Sequence, residues 1–274
     1  LYNRAGRRPR DRLTVPTARR SWPSGPVLPR RNELRRQRPA GDRCRLDREW
    51  LSSSNVGGGR TMSEADRERW NERYRSGAYA DRRHPSALLE AWLPRVTPPG
   101  RPGRALDLAC GLGRNALALA RTGWRVDAVD ISDVALDLLA TRAQSEGLPI
   151  RCRQIDIELA GSAGAFADRH YDLIIVFRYT RLALMPVLID ALAPGGHLIV
   201  ELHLESTADV VGPKDARFRV APGALAATAG GLKVLASEEG VVQDPDGRNA
   251  ALARLVARRP AAAAGEAPGR RPTS

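Results

Sequence analysis

Three aspartates stand inside or directly after short segments that the sequence predicts to be strands. Asp107 lies inside the run 105–109, Asp130 closes the run 125–129, and Asp156 follows the run 150–155. A carboxylate accepts hydrogen bonds from ammonium, hydroxyl or amino groups but donates none when ionised. Together the three residues predict a site for a ligand that carries a positive charge and several hydrogen-bond donors.

A glycine-rich turn follows the first of these aspartates. Gly111 and Gly113 stand between the apolar run 105–109 and the helical pattern 115–121. Glycine lets a ligand approach the backbone, and the free N–H groups at a helix start favour a carboxylate or a phosphate. The same residues also fit G-x-G-x-x-A, a weak dinucleotide fingerprint. An NAD(P)-dependent oxidoreductase is therefore the first alternative.

The position of Asp107 favours a cationic ligand over a dinucleotide. It lies four residues before Gly111, where an anionic pyrophosphate would favour an apolar residue. Asp130 stands 17 residues after Gly113 and suits the ribose hydroxyls of either ligand. Asp156 is placed to meet an adenine amino group. Three carboxylates at successive strand ends match a cationic amino-acid nucleoside better than a dinucleotide.

From residue 63 onward, helical and strand patterns alternate. A first helix starts at Ser63 and carries Trp70 and Tyr74, which we expect to pack over the site, and a second follows Pro85 and stops at Pro94. Further helices are predicted at 115–121, 132–147 and 181–192, and strands at 105–109, 125–129, 150–155, 171–177, 197–202, 232–243 and 250–257. The last two strands are joined by the turn 244–247. We predict an α/β fold with a Rossmann-like, seven-stranded, mostly parallel sheet, an antiparallel edge hairpin, and helices on both faces.

A family resemblance rests on residues 106–132, LDLACGLGRNALALARTGWRVDAVDIS. This stretch resembles the first two motifs of class I S-adenosylmethionine-dependent methyltransferases. It is most similar to the tellurite-resistance methyltransferase family, whose motif also runs through Gly-Arg-Asn into a Leu-Ala helix. The Tyr171-Asp172 pair and the Pro194-Gly195-Gly196 turn also fit the class, and the resemblance covers about residues 66–258.

The resemblance implies a cytoplasmic enzyme that uses S-adenosyl-L-methionine to methylate an acceptor. It also implies the cofactor contacts, residue by residue. These are Asp107, Gly111 and Gly113 at the methionine part, Asp130 and Ile131 at the ribose, Asp156 and Ile157 at the adenine, and Phe177 at the cofactor's edge. Glu158 stands close to Asp156 and is the alternative partner for the adenine.

The acceptor side is predicted from the residues after the fourth strand. Phe177-Arg178-Tyr179-Thr180 replaces the Asn/Asp-Pro-Pro-aromatic motif of amino-methylating nucleic-acid enzymes. Guanidinium groups bind carboxylates and oxyanions well. We therefore expect a small, anionic or chalcogen-containing acceptor bound by Arg178, Tyr179 and Arg181. The alternative is that both arginines form structural ion pairs with Glu201 or Glu205.

No residue cluster predicts a metal site or an obvious catalytic base. The cysteines have neither disulfide-framework nor zinc spacing, which is typical of a protein from a reducing compartment. The histidines are scattered and are predicted to lie on the surface. These residues are Cys44, Cys110 and Cys152, and His84, His170, His197 and His203.

The net charge of +13 is concentrated near the start of the chain. Residues 1–60 hold 16 arginines and 5 acidic residues, whereas the remaining 214 residues hold 28 basic and 26 acidic ones. We therefore expect no nucleic-acid groove on the folded part. A non-catalytic, S-adenosylmethionine-binding or RNA-binding accessory protein that uses the basic segment is the second alternative.

Three regions follow from the composition. Residues 1–61 are rich in arginine and proline without apolar periodicity, and are predicted to be a disordered tail, translated from upstream of a natural start at Met62. Residues 62–259 form the predicted methyltransferase domain, and 260–274 a second disordered tail. An apolar run of 18 residues is missing from the sequence, so no membrane span is expected.

Overall fold

Short apolar runs form the centre of one sheet in the computed structural model, which describes residues 46–47, 62–97, 102–159, 164–167 and 170–261. The strands are β1 (Leu46–Asp47), β2 (Arg104–Leu108), β3 (Arg125–Asp130), β4 (Ile150–Gln154), β5 (Tyr171–Phe177), β6 (Leu192–His203), β7 (Lys233–Gln243) and β8 (Asn249–Arg258). Their order across the sheet is β1-β4-β3-β2-β5-β6-β8-β7. The predicted seven-stranded, mostly parallel sheet is confirmed, and the two residues of β1 extend it.

Helices cover both faces of this sheet. They are α1 (Met62–Arg75), α2 (Ala87–Val96), α3 (Arg114–Arg121), α4 (Asp133–Glu146), α5 (Gly164–Ala167), α6 (Met185–Asp190) and α7 (Ala224–Ala227). Leu89, Leu117 and Leu136 place α2, α3 and α4 in one buried cluster. Met185 and Leu225 place α6 and α7 in the cluster on the opposite face. Both faces of the central parallel strands are therefore buried, as such strands require.

The mostly polar helix α1 is held by hydrogen bonds to the start of α4. Asn71 is buried and donates from its side-chain nitrogen to Asp133 Oδ1 at 2.8 Å. Its side-chain oxygen accepts from the Ser132 hydroxyl at 2.7 Å. The same hydroxyl accepts from the N–H of Ala135 and caps α4. These bonds fix α1 beside the carboxyl ends of the central strands.

The last two strands form the predicted antiparallel hairpin. β8 pairs with β6 on one side and with β7 on the other. Residues 250–257 of β8 are apolar except for Arg254 and are buried, whereas β7 is largely exposed along its 11 residues. β7 therefore forms one edge of the sheet.

Several boundaries differ from the sequence-based prediction. Helix α2 continues through Pro94 to Val96, so the predicted stop at Pro94 is wrong and the helix lacks the backbone hydrogen bond that this proline cannot donate. The predicted turn at 194–196 lies inside β6, and the helix predicted at 181–192 begins with a 3₁₀ turn at 182–184. The segment 204–223, for which the sequence predicted no element, connects β6 to α7.

The predicted terminal tails lie almost wholly outside the described residues. Leu46–Asp47 pairs in parallel with β4, which would otherwise present an unpaired edge. Within the described ranges, no helix is long and apolar enough to cross a membrane.

We expect that deletion of residues 1–61 changes the free energy of unfolding by less than about 0.5 kcal/mol, the range of substitutions that touch no core. The reason is that the described part of this segment adds only two residues to a sheet edge. Thermal melts of the full chain and of the 62–274 fragment measure the change. A loss of many degrees would show that the segment packs onto the domain.

Candidate active site

The carboxyl ends of the parallel strands bring the predicted cofactor residues together. β2 pairs with β3 and β5, and β3 pairs with β4, all in parallel. Asp107 lies in β2, Asp130 ends β3, Asp156 follows β4, and Phe177 ends β5. In open α/β sheets, ligands bind in the crevice at this edge. The sheet therefore provides one site from four separate stretches of sequence.

The glycine turn after β2 has a tightly bonded backbone. The N–H of Cys110 donates to the carbonyl of Val129, and the N–H of Gly113 donates to the carbonyl of Cys110, both at 3.0 Å. Gly111 and Gly113 have φ angles of 53° and 72°. A Cβ atom on Gly113 would also lie only 2.3 Å from a methyl carbon of Leu139. A side chain at residue 113 would therefore be strained and would collide with α4.

Asp130 joins this turn to the start of α4. Its Oδ2 accepts from the N–H of Gly111 at 2.8 Å, and its Oδ1 accepts from the N–H of Ser132 at 2.9 Å. Burial raises the pKa of Asp130, although these N–H groups partly oppose the shift. Each carboxylate oxygen keeps a second lone pair that could accept from a ribose hydroxyl.

Asp107 is buried and one of its oxygens is unpaired. Among the described residues, Asp107 Oδ2 has no hydrogen-bond partner. Burial raises the pKa of Asp107 to about 7, while the N–H of Ala116 and the charge of Arg114 lower it. Buried carboxylates are normally paired because an unpaired one costs several kcal/mol. The unpaired oxygen therefore fits a ligand that brings an ammonium group.

Asp156 offers a second unpaired buried oxygen. Its Oδ1 accepts from the N–H of Glu158 at 2.9 Å, whereas its Oδ2 has no partner in the described part of the chain. The Glu158 side chain is half-exposed and forms bonds with Tyr179 and Arg181. Asp156 is therefore better suited than Glu158 to accept from an adenine amino group. Ile157, the next residue, is buried.

Aromatic residues of α1 cover the glycine turn. The rings of Trp70 and Tyr74 are stacked with centroids 6.0 Å apart, and Tyr79 lies 6.2 Å beyond Tyr74. The Tyr74 hydroxyl oxygen would be 2.8 Å from a Cβ atom on Gly111. Burial, followed by the charge of Asp130, raises the pKa of Tyr74, so the phenol stays neutral. Tyr74 of α1 thus lies against the glycine turn, and Trp70 contacts Tyr74.

The three predicted acceptor residues do not form one group. Arg178 donates from Nε to Glu201 Oε1 at 3.1 Å and from Nη2 to Asp244 Oδ1 at 2.7 Å. Tyr179 and Arg181 instead contact the Glu158 carboxylate, at 3.1 and 3.2 Å. The side chain of Arg178 therefore lies towards β6, and those of Tyr179 and Arg181 lie towards the loop after β4. The sequence analysis gave a structural ion pair with Glu201 or Glu205 as the alternative role for both arginines, and Arg178 forms this pair with Glu201.

A buried ionic network around Glu201 was not predicted as part of the site. Besides Arg178, Glu201 accepts from Arg254 Nε at 2.9 Å and from the Ser86 hydroxyl at 3.3 Å. The backbone N–H of Ser86 donates to the side-chain oxygen of Asn115. The sequence signal that could have revealed this network is Glu201 itself. A glutamate inside the apolar part of a strand is expected to be buried, and a buried charge needs partners.

Two non-glycine residues adopt left-handed backbone conformations at neighbouring strand ends. Ala109 follows β2 with a φ of 54°, and Arg178 follows β5 with a φ of 63°. Such conformations cost about 1–3 kcal/mol and concentrate at functional sites. The N–H of Arg178 donates to the carbonyl of Glu201 at 2.7 Å, and this bond helps to hold the strained conformation. The strained backbone of Ala109 and Arg178 therefore lies at the same edge of the sheet as the predicted cofactor residues.

Comparison with known proteins supports the class that the fold and this edge indicate. Residues 105–196 match a family described as a methyltransferase domain. This match confirms the predicted resemblance to class I methyltransferases over the matched residues. The match favours this class over the alternative of an NAD(P)-dependent oxidoreductase.

Individual relatives cover parts of the chain. A ubiquinone biosynthesis O-methyltransferase of Caulobacter sp. (strain K31) is 35% identical over 104 residues, which are 35% of this chain and 39% of that protein. Hemagglutinin 1 of Eikenella corrodens is 34% identical over 106 residues, 36% of this chain and 34% of that protein. The chain thus matches well under half the length of these curated relatives.

Among solved structures, TehB from Haemophilus influenzae superposes with a TM-score of 0.51 and 22% identity, covering 69% of this chain and 67% of that chain. At this level of identity, the likeness concerns the fold alone.

The raised pKa of Asp107 predicts a stability change with pH. Between its ordinary value of 3.8 and about 7, the folded state holds a proton that the unfolded state has released. The free energy of unfolding should therefore fall as the pH rises through this window, by at most about 1.4 kcal/mol per pH unit. Asp107→Asn should lack this contribution and should be more stable than the wild type at pH 8.

Urea titrations at several pH values measure both proteins. Asp137→Asn, on the exposed face of α4, is the matched control and should follow the wild type. Equal pH dependence in Asp107→Asn and the wild type would contradict the assignment.

Proposed function

We propose that this chain transfers a methyl group from S-adenosyl-L-methionine to a small acceptor. The observation that carries the proposal is the arrangement of Asp107, Asp130 and Asp156 at the carboxyl ends of three neighbouring strands, β2, β3 and β4. Two of these carboxylates keep an unpaired buried oxygen, and the third keeps free acceptor capacity. These acceptors suit the ammonium, ribose hydroxyls and adenine amino group of one cationic ligand.

Each residue group has a separate task in cofactor binding. Asp107 with Gly111 and Gly113 would hold the methionine part, and Asp130 with Ile131 the ribose. Asp156 and Ile157 would hold the adenine, and Phe177 would lie at the cofactor's edge. Ile157 is a buried apolar residue, which suits contact with a flat base.

The chemistry of transfer needs little from the protein beyond positioning. When bound, the cofactor supplies an electrophilic methyl group and a neutral thioether leaving group. The protein then has to align the acceptor and exclude water. Tyr74 on α1 is placed to exclude water, because its hydroxyl lies against Gly111, and Trp70 stacks on the Tyr74 ring.

The acceptor that we propose is small and anionic, or contains a chalcogen. Arg178 supports this choice by its position, because it directly follows β5, whose carboxyl end faces the crevice where open α/β sheets bind ligands. Its pairs with Asp244 and Glu201 offset part of its charge. Tyr179 and Arg181 support it less directly, since both contact Glu158, two residues after Asp156. We therefore place Arg178 at the acceptor, and Tyr179 and Arg181 at the border between acceptor and adenine.

A turnover screen tests the reaction. The chain is incubated with labelled S-adenosylmethionine and selenite, tellurite, a thiol or a small carboxylate, and the labelled product is measured. Transfer to one of these acceptors is expected. Cofactor binding without transfer to any methyl acceptor would favour the non-catalytic alternative.

Cofactor affinity provides a sharper prediction. Asp107→Asn and Asp130→Ala should each weaken S-adenosylhomocysteine binding by about 1.5–3 kcal/mol, the usual effect of losing a charged hydrogen bond. Asp107→Asn is nearly isosteric and should fold, because it removes a buried charge. Isothermal titration calorimetry measures the dissociation constants.

Asp137→Ala is the surface control and should bind like the wild type. Tighter binding of NADH than of S-adenosylhomocysteine, or unchanged affinity in both site variants, would contradict the proposed site.

A further inference from the structure

Backbone donors of the glycine turn are bonded inside the protein. The N–H of Cys110 donates to the carbonyl of Val129, and the N–H of Gly113 donates to the carbonyl of Cys110. The N–H of Gly111 donates to Asp130 Oδ2 at 2.8 Å. These three N–H groups are therefore not free to bind a carboxylate of a ligand.

The methionine part of the proposed cofactor carries a carboxylate as well as an ammonium group. Asp107 offers a partner for the ammonium, because one of its buried oxygens is unpaired among the described residues. The carboxylate has the opposite need, since an anion taken out of water requires hydrogen-bond donors. Ionised Asp107, Asp130 and Asp156 donate no hydrogen bond. A donor from another part of the chain is therefore needed at this end of the site.

The Tyr74 hydroxyl is such a donor and lies at the glycine turn. A Cβ atom on Gly111 would be 2.8 Å from its oxygen and 3.6 Å from the ring carbon that carries it. The Tyr74 side chain is half-buried, and its hydroxyl forms no hydrogen bond with any residue that the structure describes. A hydroxyl that is partly removed from water is unfavourable without a partner, and a ligand can supply one.

The position of the Tyr74 ring is fixed from two sides and by its own helix. Trp70 stacks on it with centroids 6.0 Å apart, and Tyr79 lies on its other side at 6.2 Å. Asn71, three residues earlier in α1, is bonded to the start of α4. Residues three apart lie on the same side of a helix. The bonds of Asn71 therefore hold the Tyr74 side of α1 towards the site.

The Tyr74 hydroxyl keeps its proton. Burial, followed by the charge of Asp130, raises the pKa of Tyr74. A phenol donates a hydrogen bond only while it is protonated. The side chain is thus a neutral donor, which suits an anionic group and adds no second positive charge beside the ammonium of the ligand.

We propose that the Tyr74 hydroxyl donates a hydrogen bond to the carboxylate of the methionine part of S-adenosylmethionine, which makes Tyr74 a further cofactor-binding residue. The inference rests on the proposed function and assigns a partner to the group of the cofactor that the aspartates cannot bind. It also explains why residue 111 lacks a side chain, because a Cβ atom there would displace the hydroxyl from the turn. Asp107 and Tyr74 then bind the two charged groups of the same amino acid.

Three ligands separate the possible roles of the hydroxyl. S-adenosylhomocysteine has both charged groups, its decarboxylated form keeps only the ammonium, and methylthioadenosine has neither. Their dissociation constants with the full chain are measured by isothermal titration calorimetry. The wild type should bind S-adenosylhomocysteine about tenfold more tightly than the decarboxylated form, the size expected for a hydrogen bond to a charged group.

Tyr74→Phe removes only the hydroxyl and keeps the ring between Trp70 and Tyr79. This variant should bind S-adenosylhomocysteine about tenfold more weakly than the wild type, and the other two ligands with unchanged affinity. Its melting temperature should equal that of the wild type, because the hydroxyl has no hydrogen-bond partner in the described part of the chain.

Tyr79→Phe is the matched control. Tyr79 belongs to the same aromatic cluster and is exposed, and the substitution likewise removes one phenol hydroxyl. This variant should bind all three ligands like the wild type.

The outcomes separate this inference from the proposed function. Absence of S-adenosylhomocysteine binding by the wild type would overturn the methyltransferase proposal itself. Binding by the wild type with equal affinity in Tyr74→Phe would overturn only the inference on Tyr74. The same holds if the wild type does not distinguish S-adenosylhomocysteine from its decarboxylated form.

Two further results would contradict the assignment to the carboxylate. If Tyr74→Phe loses the same affinity for S-adenosylhomocysteine and for its decarboxylated form, the hydroxyl serves another part of the cofactor. If its melting temperature falls by many degrees, the hydroxyl serves the fold.

Discussion

The buried carboxylate of Asp107, with one oxygen unpaired, is the interaction on which the site depends. The charge is unfavourable in the free protein, as its raised pKa shows. Asp107 lies in a central strand with parallel neighbours on both sides, so it cannot turn towards water. A cationic ligand can supply the missing partner. Its binding then recovers the free energy that the unpaired, buried charge costs the folded protein.

The surrounding backbone preserves this geometry. Asp130 bonds to the glycine turn and to the start of α4, and Asn71 bonds α1 to the same start. The start of α4 therefore holds both the glycine turn and helix α1 in place at the proposed cofactor site. The left-handed residues Ala109 and Arg178 stand at the neighbouring ends of β2 and β5, where the surrounding hydrogen bonds and packing have to hold strained backbone.

Ionic side chains divide the rest of the crevice into two parts. Tyr179, Arg181 and Glu158 lie on the side of the adenine residues, whereas Arg178, Glu201 and Arg254 lie on the side of β6. Removal of one partner from a buried network such as that of Arg178, Glu201 and Arg254 strongly destabilises the protein, because the remaining charges are left unpaired. Arg178 therefore contributes to the stability of the fold as well as to the charge at the end of β5.

The sequence alone determined the fold class, because apolar runs that alternate with helical patterns permit few arrangements. It also identified the three aspartates of the proposed site. Asp107, Asp130 and Asp156 were identifiable since each lies at a strand end, a local property. Only the tertiary structure decided which partner each arginine has. Arg178 and Arg181 are three residues apart, yet one contacts β6 and the other the loop after β4. The network around Glu201 likewise joins Ser86, Arg178 and Arg254 across long sequence distances. Their convergence depends on the packing of strands and loops, which no local pattern records.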